Sequence, residues 1–183
     1  MEKRKKEFYD LPRPKKRDQL PSLLAEQEIV SLIRHTENLK HKVLLITAYS
    51  AGLWVSELAS LQVKDIDSKR MMIHIRQGKG KKDRMVPLSS RLLDSLRGYF
   101  KQYRPKAYLF EGEEKGAPYS VRSAQEDMKA AKLKAGVNKE GTIHSLCHSY
   151  ATHLLEAGRT LHIPRNGLVT AASKRRFVIR TLV

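Results

Sequence analysis

The sequence predicts a mostly helical α+β domain with one small antiparallel β-hairpin. Three observations predict it. Apolar residues recur at helical spacing through most of the chain. The period switches to two only around residues 72–88, on either side of a Gly-Lys-Gly turn. And 183 residues with 40% hydrophobic content suffice for one domain with a core.

Residues 1–20 carry eight Lys/Arg against four acids, with Pro12 and Pro14 among them and Pro21 after them. That composition predicts an extended basic arm or a solvated tail. Residues 23–35 put Leu24, Ile29, Leu32 and Ile33 on one side of an amphipathic helix. Residues 41–52 form a more apolar helix with Val43, Leu44, Leu45, Ile46, Ala48 and Tyr49, ended by Gly52. A short helix follows over 55–61. Residues 72–75 and 84–88 read as two strands around the turn at 77–82. Ser89 is the N-cap of a helix over 91–103, with Leu92, Leu93, Leu96, Tyr99 and Phe100 inward. A short apolar segment, 108–110, precedes the loop EGEEKGAP. Residues 120–135 form a helix that stops at Gly136. The helix over 144–158, HSLCHSYATHLLEAG, turns Leu146, Tyr150, Ala151, Leu154 and Leu155 inward and stops at Gly158. No internal repeat is visible.

A net charge of +17 predicts a polyanionic partner, and nucleic acid is the default. An anionic membrane surface is the runner-up, but no basic amphipathic helix has an aromatic edge. No run approaches the ~20 apolar residues of a membrane span. The start, MEKRKKEFYD, has charge without an apolar core, so no signal peptide is expected. One cysteine excludes an internal disulfide. The expectation is a cytoplasmic protein.

Three stretches go beyond pattern. In AGLWVSELASL, Trp54 reads as a buried aromatic near a helix start and Glu57 as a surface or capping carboxylate. In QGKGKKDRMVPL, Lys79 sits between glycines at a turn tip, where its ammonium can enter a DNA groove. In the 144–158 helix, His144 and His148 are four apart and share a face. Two readings of those imidazoles stay open from the stretch alone. They donate to a phosphoryl oxygen or move a proton, or they bond to backbone. No cysteine or carboxylate cluster completes a metal site.

Together the three stretches resemble the boxes of the tyrosine recombinases, the phage-integrase and Xer-like family. The first box reads Gly-Leu-Arg-x-Ser-Glu-Leu. Gly52, Leu53, Ser56, Glu57 and Leu58 match it, with Trp54 at the arginine position. The hairpin matches Gly-Lys-Gly-x-Lys-x-Arg-x-Val-Pro-Leu. The last box reads His-x-x-Arg-His-x-x-Ala-Thr-x-Leu. His144, His148, Ala151, Thr152 and Leu154 match, and Cys147 stands at the arginine position.

The resemblance implies DNA strand exchange through a 3′-phosphotyrosyl intermediate, without metal or cofactor. Lys79 would protonate the leaving oxygen, His144 would serve the phosphate, and Glu57 and His148 would support. Lys15, Lys16, Arg17, Lys79, Lys81, Lys82 and Arg84 would face double-stranded DNA. Residues 1–20 would be the linker from an N-terminal DNA-clamping domain that is expected to be absent, and 21–163 the catalytic-type domain. Recombinase protomers of the same family are a further implied partner. Two arginines of the family bind the phosphate bidentately, which tryptophan and a neutral thiol cannot do. Cys147 as a substitute nucleophile is disfavoured against a small core residue.

Residues 159–183 carry six Lys/Arg and no acid. The family's Leu-Gly-His, Lys-Thr-Thr and Tyr-Thr-His-Val are not read there. Yet the third base of each codon from Pro164 onward, joined to the next two, can spell Gln-Glu-Trp-Leu-Gly-His-Ser-Ser-Ile-Lys-Thr-Thr-Ile-Arg-Tyr-Thr-His-Val-Ser. One lost nucleotide near Ile163–Pro164 would make 164–183 an out-of-frame tail. Trp and Cys are each one C-to-T change from an arginine codon. The seven tyrosines lie in other contexts, Tyr150 within a helix. The expectation is an inactive, marginally stable DNA-binding remnant. Its alternatives are a non-catalytic regulator or antagonist of an intact recombinase, and a working recombinase with an unseen nucleophile.

Overall fold

The computed structural model describes residues 22–76 and 83–157, and the backbone of two short strands beyond them. Among the described residues there are six α-helices and a three-stranded antiparallel sheet. The order is α1 (Glu26–His35), α2 (Leu39–Ser50), α3 (Val55–Ser60), a 3-10 turn (Val63–Asp65), β1 (Ile66–Asp67), β2 (Met72–Ile75), β3 (Arg84–Pro87), α4 (Ser90–Tyr103), α5 (Val121–Ala135) and α6 (Ile143–Glu156). The strand order is β1-β2-β3. β4 (Leu161–His162) and β5 (Thr170–Ala171) pair antiparallel. The rest of the expected out-of-frame tail lies outside the described residues, as do residues 1–20 and the turn at 77–82.

Helix starts are set by local chemistry. Ser89 and Ser120 accept the backbone N–H groups of Leu92 and Ser123, and Asn38 caps α2. Gly136 closes α5 in the left-handed region at φ +67. Three carboxylates repeat one device. Glu28, Glu57 and Asp65 each reach back three residues and accept an N–H, from Ala25, Trp54 and Gln62.

The core is continuous from Leu24, Ile29 and Leu32 through Leu44, Leu45 and Leu58 to Ile73, Tyr99 and Phe110. α2 runs through its middle and meets α6 along its length. Several expectations are corrected. Leu155 is 59% exposed and Phe100 44%, so neither faces the core. Trp54 is 38% exposed rather than buried. α1 starts at Glu26: Ala25 is its extended N-cap, its N–H accepted by Glu28, and the Leu24 N–H before it is accepted by Ser149 Oγ at 2.8 Å. α6 ends at Glu156, capped by Ala157, before Gly158. The two-strand hairpin gains a third strand, β1.

The α2–α3 corner sets the site. Gly52 has φ +59, and a Cβ built there would lie 2.7 Å from Cδ1 of Tyr150 on α6. Both demands exclude a side chain. Gly52→Ala is therefore expected to lower stability by about 2–3 kcal/mol, from left-handed strain plus overpacking. Urea unfolding of the variant against the parent measures it.

Candidate functional site

The two outer boxes meet although 90 residues separate them. Trp54 is the N-cap of α3, and its N–H is held by Glu57 Oε2 at 2.9 Å. Its indole stands edge-on to the His144 ring, with centroids 5.2 Å apart and planes at 86°. His144 lies in the first turn of α6, and its N–H is accepted by the Thr142 hydroxyl at 3.3 Å. Burial lowers its basicity, and the neighbouring His148 charge lowers it further. His144 is thus biased to the neutral imidazole. His148 is exposed one turn on.

Cys147 faces the same corner. Its thiol donates to the Gly52 carbonyl at 3.0 Å. Burial, and then the Glu57 charge, push the thiol up from its ordinary value near 9.0 to about 11, against a lowering by Arg84. Raised in the fold, this pKa contributes stability that is complete below pH ~9 and is lost as pH rises toward ~11. Reaction with a disulfide reagent at pH 8 is expected to be at least ~10-fold slower in the folded chain than in urea, because the thiolate is the nucleophile. A stopped-flow absorbance trace reads it.

Glu57 joins the first box to the hairpin. Its carboxylate is 6% exposed. Arg84, the first residue of β3, donates to both of its oxygens, with Nη2 at 2.7 Å from Oε2. The fork-to-fork geometry is the strong form of a charge-assisted hydrogen bond. Only 12% of the Arg84 side chain is exposed, so its guanidinium is committed inward, whereas the sequence suggests a DNA-facing cation.

The structure thus brings Trp54, Glu57, Arg84, His144 and Cys147 to one corner, with His148 beside it. Lys79, Lys81, Lys82, Lys15, Lys16 and Arg17 lie outside the described residues. Sequence reasoning missed the Gly52 carbonyl as the thiol's acceptor and the Asp65–Arg76 pair at the neck of the hairpin. A carboxylate three residues after a helix start was the one available signal for Asp65. Among the described residues no group of three or more His, Cys, Asp or Glu is placed to hold a metal ion. None of their helices is long and apolar enough to cross a membrane.

The arrangement has known relatives. The model of the phage integrase family matches residues 18–163. A Sinorhizobium fredii protein with an integrase/recombinase assignment, y4qK, is 43% identical over 148 residues, covering 81% of this chain and 48% of its own. The tyrosine recombinase XerA of Pyrococcus horikoshii is 34% identical over 158 residues, covering 86% of this chain and 55% of its own. The chain therefore spans about half the length of the curated relatives it matches. Among solved structures, XerH site-specific recombinase bound to difH substrate, a pre-cleavage complex, shares the fold. Its TM-score is 0.68 at 22% identity, over 84% of this chain and 48% of that one. By sequence and by fold, the chain belongs to the phage integrase family, and its matched residues form a tyrosine-recombinase catalytic domain.

Proposed function

We propose that this chain is a DNA-binding remnant of a tyrosine recombinase that no longer breaks or joins strands. One observation carries the reading. Neither side chain at the family's arginine positions carries a positive charge: the Trp54 indole stands edge-on to His144, and the Cys147 thiol donates to the Gly52 carbonyl.

Phosphoryl transfer without a metal needs fixed cations where charge develops on the phosphorus oxygens. Neither an indole nor a neutral thiol supplies one. His144 is retained but biased to its neutral form, and Arg84 is engaged by Glu57. Lys79 keeps its role only in sequence. The family match stops at residue 163, next to the residue at which the slipped reading begins. That boundary supports residues 164–183 as an out-of-frame tail, with the attacking tyrosine present only in the other frame.

DNA affinity survives on charge. The net charge is +17, and the linker lysines and hairpin lysines lie in the basic stretches. The partner is the backbone of duplex DNA in the cytoplasm, bound with little sequence preference. Protomers of an intact family member are a second partner. A nicked duplex that traps a covalent intermediate tests the reading. The expected result is a complex that weakens steeply with salt and yields no protein–DNA adduct. An adduct overturns the loss of activity, and absence of any complex overturns the DNA binding.

A further inference from the structure

The β2–β3 ribbon is unevenly supported. β1 pairs only with its root, at Met72 and Ile73. At its far end Ile75 faces Arg84, and among the described residues no third strand hydrogen-bonds there: β5 lies near β3 but pairs with β4. A two-stranded ribbon is marginal in water by itself. The far end therefore needs another hold.

Two arginines provide it, one on each side of the neck. Arg84 is clamped by Glu57. Arg76, next after β2, donates from Nε to Asp65 Oδ1 at 2.7 Å. Asp65 is 3% exposed, and its second oxygen accepts the Gln62 N–H at 3.0 Å. The segment around Asp65 is itself fixed. The Val63 N–H donates to the Ala107 carbonyl at 3.1 Å, and the Leu109 N–H to the Leu61 carbonyl at 2.7 Å. Asp65 is a post set in the body of the domain, and Arg76 is the point where the ribbon is tied to it.

We infer that Asp65 is a positioning residue: through Arg76 it ties the far end of the β2–β3 ribbon to the body of the domain, and duplex DNA binding depends on that tie. The inference rests on the DNA-binding reading above. Nearly half of the Arg76 side chain is exposed, at 48%, so Arg76 has a rival role as a direct phosphate contact.

The two roles give opposite signs. Asp65→Asn removes a negative charge from a chain of net charge +17 and frees Arg76. Charge alone then tightens DNA binding, and a direct phosphate contact tightens it further. If geometry dominates, binding weakens despite the added charge. Asparagine keeps an oxygen for the Gln62 N–H, so the cap is preserved.

The full chain is tested by fluorescence anisotropy with a labelled random-sequence duplex, together with amide hydrogen exchange. Asp65→Asn is expected to weaken binding by about 3- to 10-fold, the net scale of one ordinary hydrogen bond. Exchange at Ile75 and Arg84 should quicken by about 10-fold, while Ile73 and Val86 keep their protection. In an Arg76→Gln background, Asp65→Asn should leave exchange at the neck unchanged and should no longer weaken binding; with Arg76 in place, Asp65→Glu should keep part of the binding that Asp65→Asn loses. Unchanged or tighter binding by Asp65→Asn overturns the inference, and so does unaltered exchange at the neck. If the parent chain binds no duplex, the DNA reading fails, while the exchange measurement still decides the tether. If Asp65→Asn does not fold, Arg76→Gln carries the same exchange test.

Discussion

Glu57→Ala is expected to destabilise the domain by about 3–5 kcal/mol, the range for removing one partner of a buried ion pair. Glu57 and the Arg84 side chain are 6% and 12% exposed, so neither group is hydrated enough to be spared. The change leaves the Arg84 guanidinium enclosed without its counter-charge. It also strips the Trp54 N–H of its acceptor at the start of α3. At about 2–4 °C per kcal/mol for a chain of this size, melting should fall by roughly 10 °C or more. Thermal unfolding followed by circular dichroism measures it. The double variant Glu57→Ala/Arg84→Met should recover part of the loss, because it removes the stranded charge. A fall within ~0.5 kcal/mol for Glu57→Ala, the usual size of a surface substitution, would show that the pair is not enclosed in solution.

The second large effect concerns strand cleavage. Losing one preorganised donor to a developing oxyanion costs about 10²–10³ in rate, and groups that act together leave little when removed together. Two guanidinium donors are replaced here, so cleavage should be at least ~10⁴-fold slower than in an arginine-bearing relative. On the proposed reading of the tail as out of frame, it should be undetectable. Trp54→Arg with Cys147→Arg should tighten duplex binding through two added charges, yet give no adduct. Inserting one nucleotide at codons 163–164 in that background should return adduct formation. The assay is denaturing electrophoresis of a labelled nicked duplex. An adduct from the double variant alone would mean that another residue attacks the phosphorus. No adduct after reframing would mean that the slipped reading is a coincidence of codons.

Much of the fold was legible because its signals are local. Ser89, Ser120 and Gly136 mark helix ends through bonds made within three or four residues. The alternation at 72–75 and 84–87 marks the ribbon. β1 was missed because two residues, Ile66 and Asp67, carry no period; they become a strand only by pairing with Met72 and Ile73. Leu155 and Phe100 were misjudged because helical spacing defines a stripe, and the width of that stripe is set by neighbours that the sequence does not order.

The candidate site was legible as a set of positions and not as a set of contacts. Three boxes in order identified Trp54, Glu57, His144 and Cys147. The edge-on contact of Trp54 with His144 bridges residues far apart in the chain, as does the thiol on the Gly52 carbonyl. Arg84 shows the same limit. In a run of basic residues it reads as one more solvated cation, and only its approach to Glu57, 27 positions earlier, turns it inward.

The bond from the Leu24 N–H to Ser149 Oγ has a mechanical consequence. Both residues are fully enclosed, at 0% exposure, and Ser149 lies two positions past Cys147 on the same helix. The extended segment before α1 is thereby stitched to the helix that bears His144. A displacement of Leu24 is therefore passed to α6, the helix that bears His144.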